Sequence, residues 1–329
     1  MSFTSGTATD HNDLLDLLRL YLVAEGWTEL AWTAGATVLD PSTLHVRGPG
    51  AGAGKQVFVS IETSGDDVVP FYSWDMRSAV DYDGTLEWGG QLGQSPPVYL
   101  NLWDGPIDYW FFVNDRRFVV VAKCSTNYMS AHAGFFLPWG TPAQYPFPLY
   151  LAADYTEPAP FSLANSARRM CVDPGAPASN GMSSAAYART ATGVWYPIIN
   201  HIASARNNAP EGADKGARGF LWPYHAGTQY SQPLNQAHYP IYWTGGDDAA
   251  DFAWAFESLV PTQQDERPLM PAMIGMTDQS PLGVLDGVYA VGGQGLATEQ
   301  LITIAARDFR VFQNIARNSG DDFFCVEEI

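Results

Sequence analysis

In TDHNDLLDLLRLYLVAEGW, Leu14, Leu17, Leu18, Tyr21 and Leu22 recur at helical spacing and fall on one stripe. Thr9 or Asp10 can cap the start, Asp13 suits the positive end of the helix dipole, and Gly26 suits the stop. The pattern predicts an amphipathic helix that docks its stripe on a sheet or a neighbouring subunit. After it the period shortens to two. PSTLHVRGPGAGAGKQVFVSIETS reads as strand, loop and strand, with Val57, Val59 and Ile61 alternating against Phe58, Ser60 and Glu62. VYLNLWDGPIDYWFFVNDRRFVVVAKCST carries the strongest sheet signal. Tyr109 to Val113 and Phe118 to Ala122 flank NDRR, and Asn114-Asp115 is turn chemistry, so a hairpin is expected. Both of its faces are apolar, which predicts a central or doubly covered position.

An uncharged stretch follows, GFFLPWGTPAQYPFPLYLAAD, at residues 134–154. No Asp, Glu, Lys or Arg lies between Lys123 and Asp154. GFFLP should continue as a strand with Phe135 or Phe136 inward. Pro142, Pro146 and Pro148 push the remainder to extended geometry. Residues 138–151 therefore read as an arm at a subunit or domain interface, with Trp139, Tyr145, Phe147 and Tyr150 as contact candidates.

Three regions emerge. Residues 1–155 form an N-terminal helix plus β domain. Residues 156–275 are a loop-rich middle or insertion, in which DDAADFAWAFESLV suits a short helix or strand equally. Residues 276–329 return to strands that pack with the first β domain. In that last part VLDGVYAVGG and DDFFCVEE alternate, and AARD between LITI and FRVFQN suggests a second hairpin. No internal repeat has a fixed period.

Composition agrees with this pattern. A chain of 329 residues with 46% hydrophobic and 16% charged residues can bury a sizeable core. Aromatics at 13%, with 31 Gly and 23 Pro, favour strands and turns over a helical bundle. The expected class is α+β, predominantly β: antiparallel, sandwich-like sheets with the N-terminal amphipathic helix and long loops. The net charge of -18 opposes direct nucleic-acid binding, and the only basic clusters are Arg116-Arg117 and Arg168-Arg169. The start, MSFTSGTATDHND, lacks a basic region followed by an apolar one, so no secretory signal is expected. Apolar runs such as FVVVA are too short to span a bilayer, so membrane insertion is not expected.

The search for chemistry is negative. Cys124, Cys171 and Cys325 form no CxxC pair, and the six histidines are spread singly without HExxH or HxH spacing. No GxSxG elbow occurs. GPGAGAGK departs from a P-loop at Pro49 and Gln56 and reads as a mobile loop. Asp104 and Asp108 could serve as a glycosidase pair but suit turn positions better. Asp81, Asp83 and Glu87, and likewise Asp247, Asp248 and Asp251, fit solvated turns better than a calcium loop. No catalytic residue, metal site or cofactor is expected.

The longer ordered pattern carries a resemblance. EGWTE, HVRGPGAG, VFVSIETSGDD, FYSWD, the whole of VYLNLWDGPIDYWFFVNDRRFVVVAKCSTNYMSAHAGFFLPWGTPAQYPFPLYL, and the closing GVLDGVYAVGG and ITIAARDFRVFQNIARNSGDDFFCVE occur in this order. The chain thereby resembles a group of virion structural proteins of tailed bacteriophages, encoded among tail and baseplate genes. The resemblance covers most of residues 10–155 and about 280–329. It implies a structural part of a virion, assembled in the host cytoplasm and contacting other tail or baseplate proteins. A symmetric homo-oligomer, a trimer or hexamer ring, is the expected state. No catalytic residues come with the resemblance. The alternative is a carbohydrate-binding module for receptor contact, with Trp103, Trp110 and Trp139 as stacking platforms; a cell-wall glycan hydrolase is a more distant one.

Overall fold

The computed structural model describes residues 1–52, 54–68, 71–140, 145–155, 157–160, 186–197, 219–222, 269–276, 279–291, 295–313 and 323–328. Strand β1 (Ser2–Ala8) leads directly into helix α1 (His11–Ala24). The side chain of Asp10 caps the helix by accepting from the amides of Asn12 and Asp13, and Gly26 turns the chain out with a φ of 88°. His11, Leu14, Leu15, Leu18 and Leu22 are buried, whereas Leu17 and Tyr21 are half-buried beside them.

Three antiparallel sheets follow. Sheet B is a meander of β2 (Thr28–Thr33), β3 (Thr43–Gly48), β4 (Val57–Asp66), β5 (Phe71–Ala79) and β6 (Val98–Leu102). Sheet A is built on β7 (Ile107–Val113), β8 (Arg117–Cys124) and β9 (Asn127–Phe135). The short β10 (Leu137–Pro138) leaves it for sheet C, and β11 (Leu149–Ala152) returns. β12 (Ala186–Arg189) and β13 (Trp195–Pro197) then extend sheet A to the order β1-β7-β8-β9-β11-β12-β13. Sheet C contains β14 (Gly219–Trp222), β15 (Met270–Met276), β16 (Gln279–Val291), β17 (Leu301–Ile304), β18 (Arg307–Gln313) and β19 (Phe323–Glu327). The region between residues 156 and 275 thus supplies strands to two sheets, β12 and β13 to A, and β14 with most of β15 to C. DDAADFAWAFESLV lies outside the described residues.

Sheet A carries a different core on each face. Ile107, Tyr109, Phe111 and Val113 of β7, with Phe118, Val120 and Ala122 of β8, pack with α1 and the inner face of sheet B. The alternate residues Trp110, Phe112, Val119 and Val121 pack with Ile274, Leu285, Val288, Phe312 and Phe324 of sheet C. This explains why the hairpin sequence shows no apolar–polar alternation: both parities are covered. Each of these large side chains contributes about 2 kcal/mol of burial free energy. Rings interlock across the second core, with Phe312 edge-on to Trp110 at 5.3 Å between centroids and to Phe112 at 6.0 Å.

The uncharged stretch works between these layers. Phe135 ends β9 in the first core, and Phe136 is enclosed in the second. Leu137 and Pro138 then pair with Val284 and Gly283 of β16. Gly283 is required there, because a Cβ would stand 2.2 Å from the Leu137 carbonyl oxygen. Leu149 to Ala152 rejoin β9 in sheet A.

The second hairpin closes through Ala305 and Ala306, with φ of 52° and 61°, between the paired residues Ile304 and Arg307. A two-residue loop with both φ positive is a type I′ turn, which favours Asn-Gly. Alanine in the left-handed region costs about 1–2 kcal/mol per residue. Glu299 also has a left-handed φ, 67°, and is held there by Lys123 Nζ at 2.7 Å and the Tyr128 hydroxyl at 2.5 Å. Replacing Ala305 and Ala306 by Asn and Gly is expected to stabilise the chain by about 1–2 kcal/mol in urea unfolding. An unchanged or lowered midpoint would show that the turn is not strained.

Candidate functional site

Two places concentrate polar groups. The first is the end of the β7–β8 hairpin. Asn114 Oδ1 accepts from the amides of Arg116 (2.8 Å) and Arg117 (2.9 Å), which folds NDRR into a tight turn. Its Nδ2 donates to Asp286 Oδ2 on β16 at 2.9 Å, and its carbonyl accepts from Trp27 Nε1 at 2.9 Å. The glycine loop after β3 closes over the turn, with the Gly50 amide 2.6 Å from the Asp115 carbonyl. A polar cleft of about 700 Å³ opens between them, with Glu25, Gly50, Asn114, Asp115, Arg116 and Asp286 in its walls. Arg116 reaches Asp286 at 3.2 Å.

Behind the cleft lies Arg117, which is fully buried. Its Nε donates to the Asp286 carbonyl (2.8 Å), one terminal nitrogen to the Phe112 carbonyl (2.9 Å), and the other to Met1 Sδ (3.1 Å). The guanidinium thus joins β7 of sheet A to β16 of sheet C. Gly287 leaves room for it: a Cβ there would lie 2.5 Å from the terminal nitrogen. The sequence signal was the arginine pair inside an otherwise apolar hairpin. Weighed only as a phosphate-binding cluster, that pair gave no sign of the partner Asp286, which is remote in sequence.

The second place is the outer face of sheet B. Glu62 and Asp75 are directly opposite each other on β4 and β5. Burial and their mutual repulsion raise the Glu62 carboxyl, and burial raises that of Asp75 against the pull of Arg77. Tyr99 donates to Asp75 at 3.2 Å and is pushed up to about 12, mainly by burial. Arg77 stacks on Trp88 at 4.2 Å. One row along, His45 Nδ1 and Ser60 Oγ are 2.7 Å apart under the ring of Tyr82. A serine–histidine pair needs a third group to orient the ring. Burial lowers the His45 imidazole, and among the described residues no carboxylate hydrogen-bonds its ring.

The residues singled out from sequence are dispersed. Tyr150 is fully enclosed in the second core, and Tyr145 is buried with its hydroxyl 2.5 Å from the Arg189 carbonyl. Neither offers a surface to a neighbouring subunit, because both fill the chain's own A–C layer. Phe147 is half-buried against the first core, 5.7 Å from the Arg189 guanidinium. Trp110 is wedged between Tyr128 and Phe312 and has no face for a sugar. Trp103 is half-buried and its indole N–H is held by the Pro106 carbonyl at 2.9 Å. Trp139 alone of these stands out, 58% exposed. Asp104 and Asp108 sit at the entry to β7, and Asp108 accepts from the Thr7 hydroxyl. Asp83 caps its own turn by accepting from Thr85. Asp247, Asp248 and Asp251 lie outside the described residues. Among the described residues no group of three or more His, Cys, Asp and Glu is placed to hold a metal ion.

Two buried histidines contribute to the response to acid. Burial lowers His11 to about 4, with Asp10 and Asp104 offsetting only part of this. Burial, then the charge of Arg117, lowers His132 to about 3. Unfolded imidazoles titrate near 6.5, so below that pH the unfolded chain takes up protons that the folded chain refuses. Stability is therefore lost as pH falls from about 6.5 towards the two folded values, by roughly 2 kcal/mol per histidine at about pH 4.5. His11→Phe should remove about half of this loss in urea unfolding at the two pH values; an unaltered loss would clear His11 of the effect. At neutral pH, Arg117→Met should destabilise by about 3–5 kcal/mol, because it orphans two buried carbonyls. Arg117→Lys should recover only part, since an ammonium cannot fork between two sheets. A change below about 1 kcal/mol in Arg117→Met would show that the guanidinium does not couple the sheets. No family model matches the chain, and no curated protein shows significant similarity to it.

Proposed function

We propose that this protein is a structural component of a tailed-bacteriophage virion, placed in the tail or baseplate and working through protein–protein contacts in a symmetric assembly. The observation that carries this reading is the position of Trp139. Nearly every other aromatic residue of the uncharged stretch is turned into a core. Trp139 is 58% exposed although its backbone is fixed, its amide donating to the Leu282 carbonyl at 2.9 Å beside the β10–β16 pair. A large apolar ring just past the end of β10, with its backbone amide already paired, suits the centre of an interface. The finer architectural reading, a sandwich-like stack with an amphipathic N-terminal helix, supports the same role. Many residues of the resemblance, among them Phe111, Phe112, Val120, Val121, Phe135 and Phe136, fill the layered cores. Assembly in the host cytoplasm and a trimeric or hexameric ring belong to this proposal. So do the absence of catalysis and of direct nucleic-acid contact. No described helix is long and apolar enough to cross a membrane.

Of its three candidates, the sugar-contact alternative retains Trp139 as the exposed platform, since Trp110 is enclosed and Trp103 is half-buried. One variant separates the two readings. Trp139→Ala should lower incorporation into particles several-fold, measured by quantitative mass spectrometry of purified virions, while leaving the unfolding midpoint within about 0.5 kcal/mol. Absence of the wild-type chain from particles would reject the virion role. Normal incorporation with lost glycan binding would favour the sugar reading.

A further inference from the structure

Sheet A has two ends among the described residues, β1 and β13. They differ in a way that matters for association. β13 is three residues long and ends in Pro197, which blunts the edge. β1 is seven residues long and pairs with β7 along its whole length without a register shift. It contains no charged residue and no proline. Ser5, Gly6 and Thr7 are exposed, and Ser2, Phe3 and Thr4 are half-buried. An edge of this length without charge, proline or bulge is a template for another strand.

We propose that β1 is the contact strand of a two-fold homodimer, pairing antiparallel with β1 of a second copy so that two A sheets become one. Full overlap of the seven residues puts the two-fold axis on Ser5. Ser5 then faces its own equivalent, Phe3 faces Thr7 of the second copy, and Thr4 faces Gly6 of the second copy. No charged side chain meets a like charge in any pair, so the strand is self-complementary. In a chain of net charge -18, an uncharged edge is where two copies can approach with least opposition.

Charge on the flanks fits the same register. Phe3, Ser5 and Thr7 point to the side of sheet C, since they pair with Phe112, Trp110 and Asp108. On that side the Arg310 guanidinium lies 5.6 Å from the ring of Phe3, and Asp108 accepts from the Thr7 hydroxyl at 2.8 Å. Because Phe3 opposes Thr7 of the second copy, the Arg310 end of each copy meets the Asp108 end of the other. The match occurs twice by symmetry. Arg310 is already positioned by Glu328 at 2.7 Å, so little ordering is needed. An isologous contact of this kind closes after two copies and is separate from any ring contact. It rests on the fold alone: a monomer would leave the virion proposal standing, and absence from particles would leave the dimer standing.

The test is analytical ultracentrifugation of the full chain over a concentration series. The expected result is a monomer–dimer equilibrium. Ser5→Lys sets two ammonium groups on the axis and should raise the dissociation constant about tenfold or more. Its urea midpoint should stay unchanged, because Ser5 is exposed. With a short thiol crosslinker, Ser5→Cys should give a covalent dimer above the level of the unmodified chain, and Thr7→Cys should not. The proposal is overturned by a monomer at every concentration, by a dimer that Ser5→Lys leaves intact, or by crosslinking through Thr7→Cys in preference to Ser5→Cys.

Discussion

The guanidinium of Arg117 sets the terms on which the layers meet. It is buried without exposure at the end of the central hairpin, and its fork bonds carbonyls on both sheet A and sheet C. A charge so placed is tolerable only if its donors find acceptors. Several neighbours follow from that need. Gly287 must lack a side chain, Asn114 must fold the turn that precedes Arg117, and Asp286 must bring its carbonyl within reach. The same Asp286 spends its carboxylate on Asn114 and Arg116, so turn, strand and cleft form one connected network.

Elements whose cause is local were legible in the sequence. The helix, its Asp10 cap and the Gly26 stop depend on residues next to each other. The first hairpin was legible because Asn114 supplies its own turn chemistry, and its lack of alternation correctly implied cover on both faces. The second hairpin was legible from its strands, although its Ala-Ala turn carries none of the usual turn residues. β1 was not legible. Its only large apolar residue is Phe3, and its pairing with β7 lies about a hundred residues away. The role of the uncharged stretch was half visible. Its inward phenylalanines could be read, but that Leu137 and Pro138 pair with this chain's own β16 could not, since β16 lies far along the chain.

The polar sites show the same division. Composition announced few charged residues, and several of them meet partners distant in sequence: Arg117 the Asp286 carbonyl, Lys123 the Glu299 carboxylate, Arg310 the Glu328 carboxylate. No local motif encodes such pairs. The cross-strand Glu62–Asp75 pair is the reverse case, a local repulsion that the fold retains. Arg77 and Tyr99 temper it from neighbouring positions.

The crossing from β9 to β10 has a mechanical consequence. β9 in sheet A and β10, paired with β16 of sheet C, are joined through Phe136 alone, and β11 pairs with β9 again in sheet A. A pull on sheet C is therefore carried into sheet A by backbone as well as by packing. Sliding of one layer past the other strains the β10–β16 pair, which Gly283 allows to sit close.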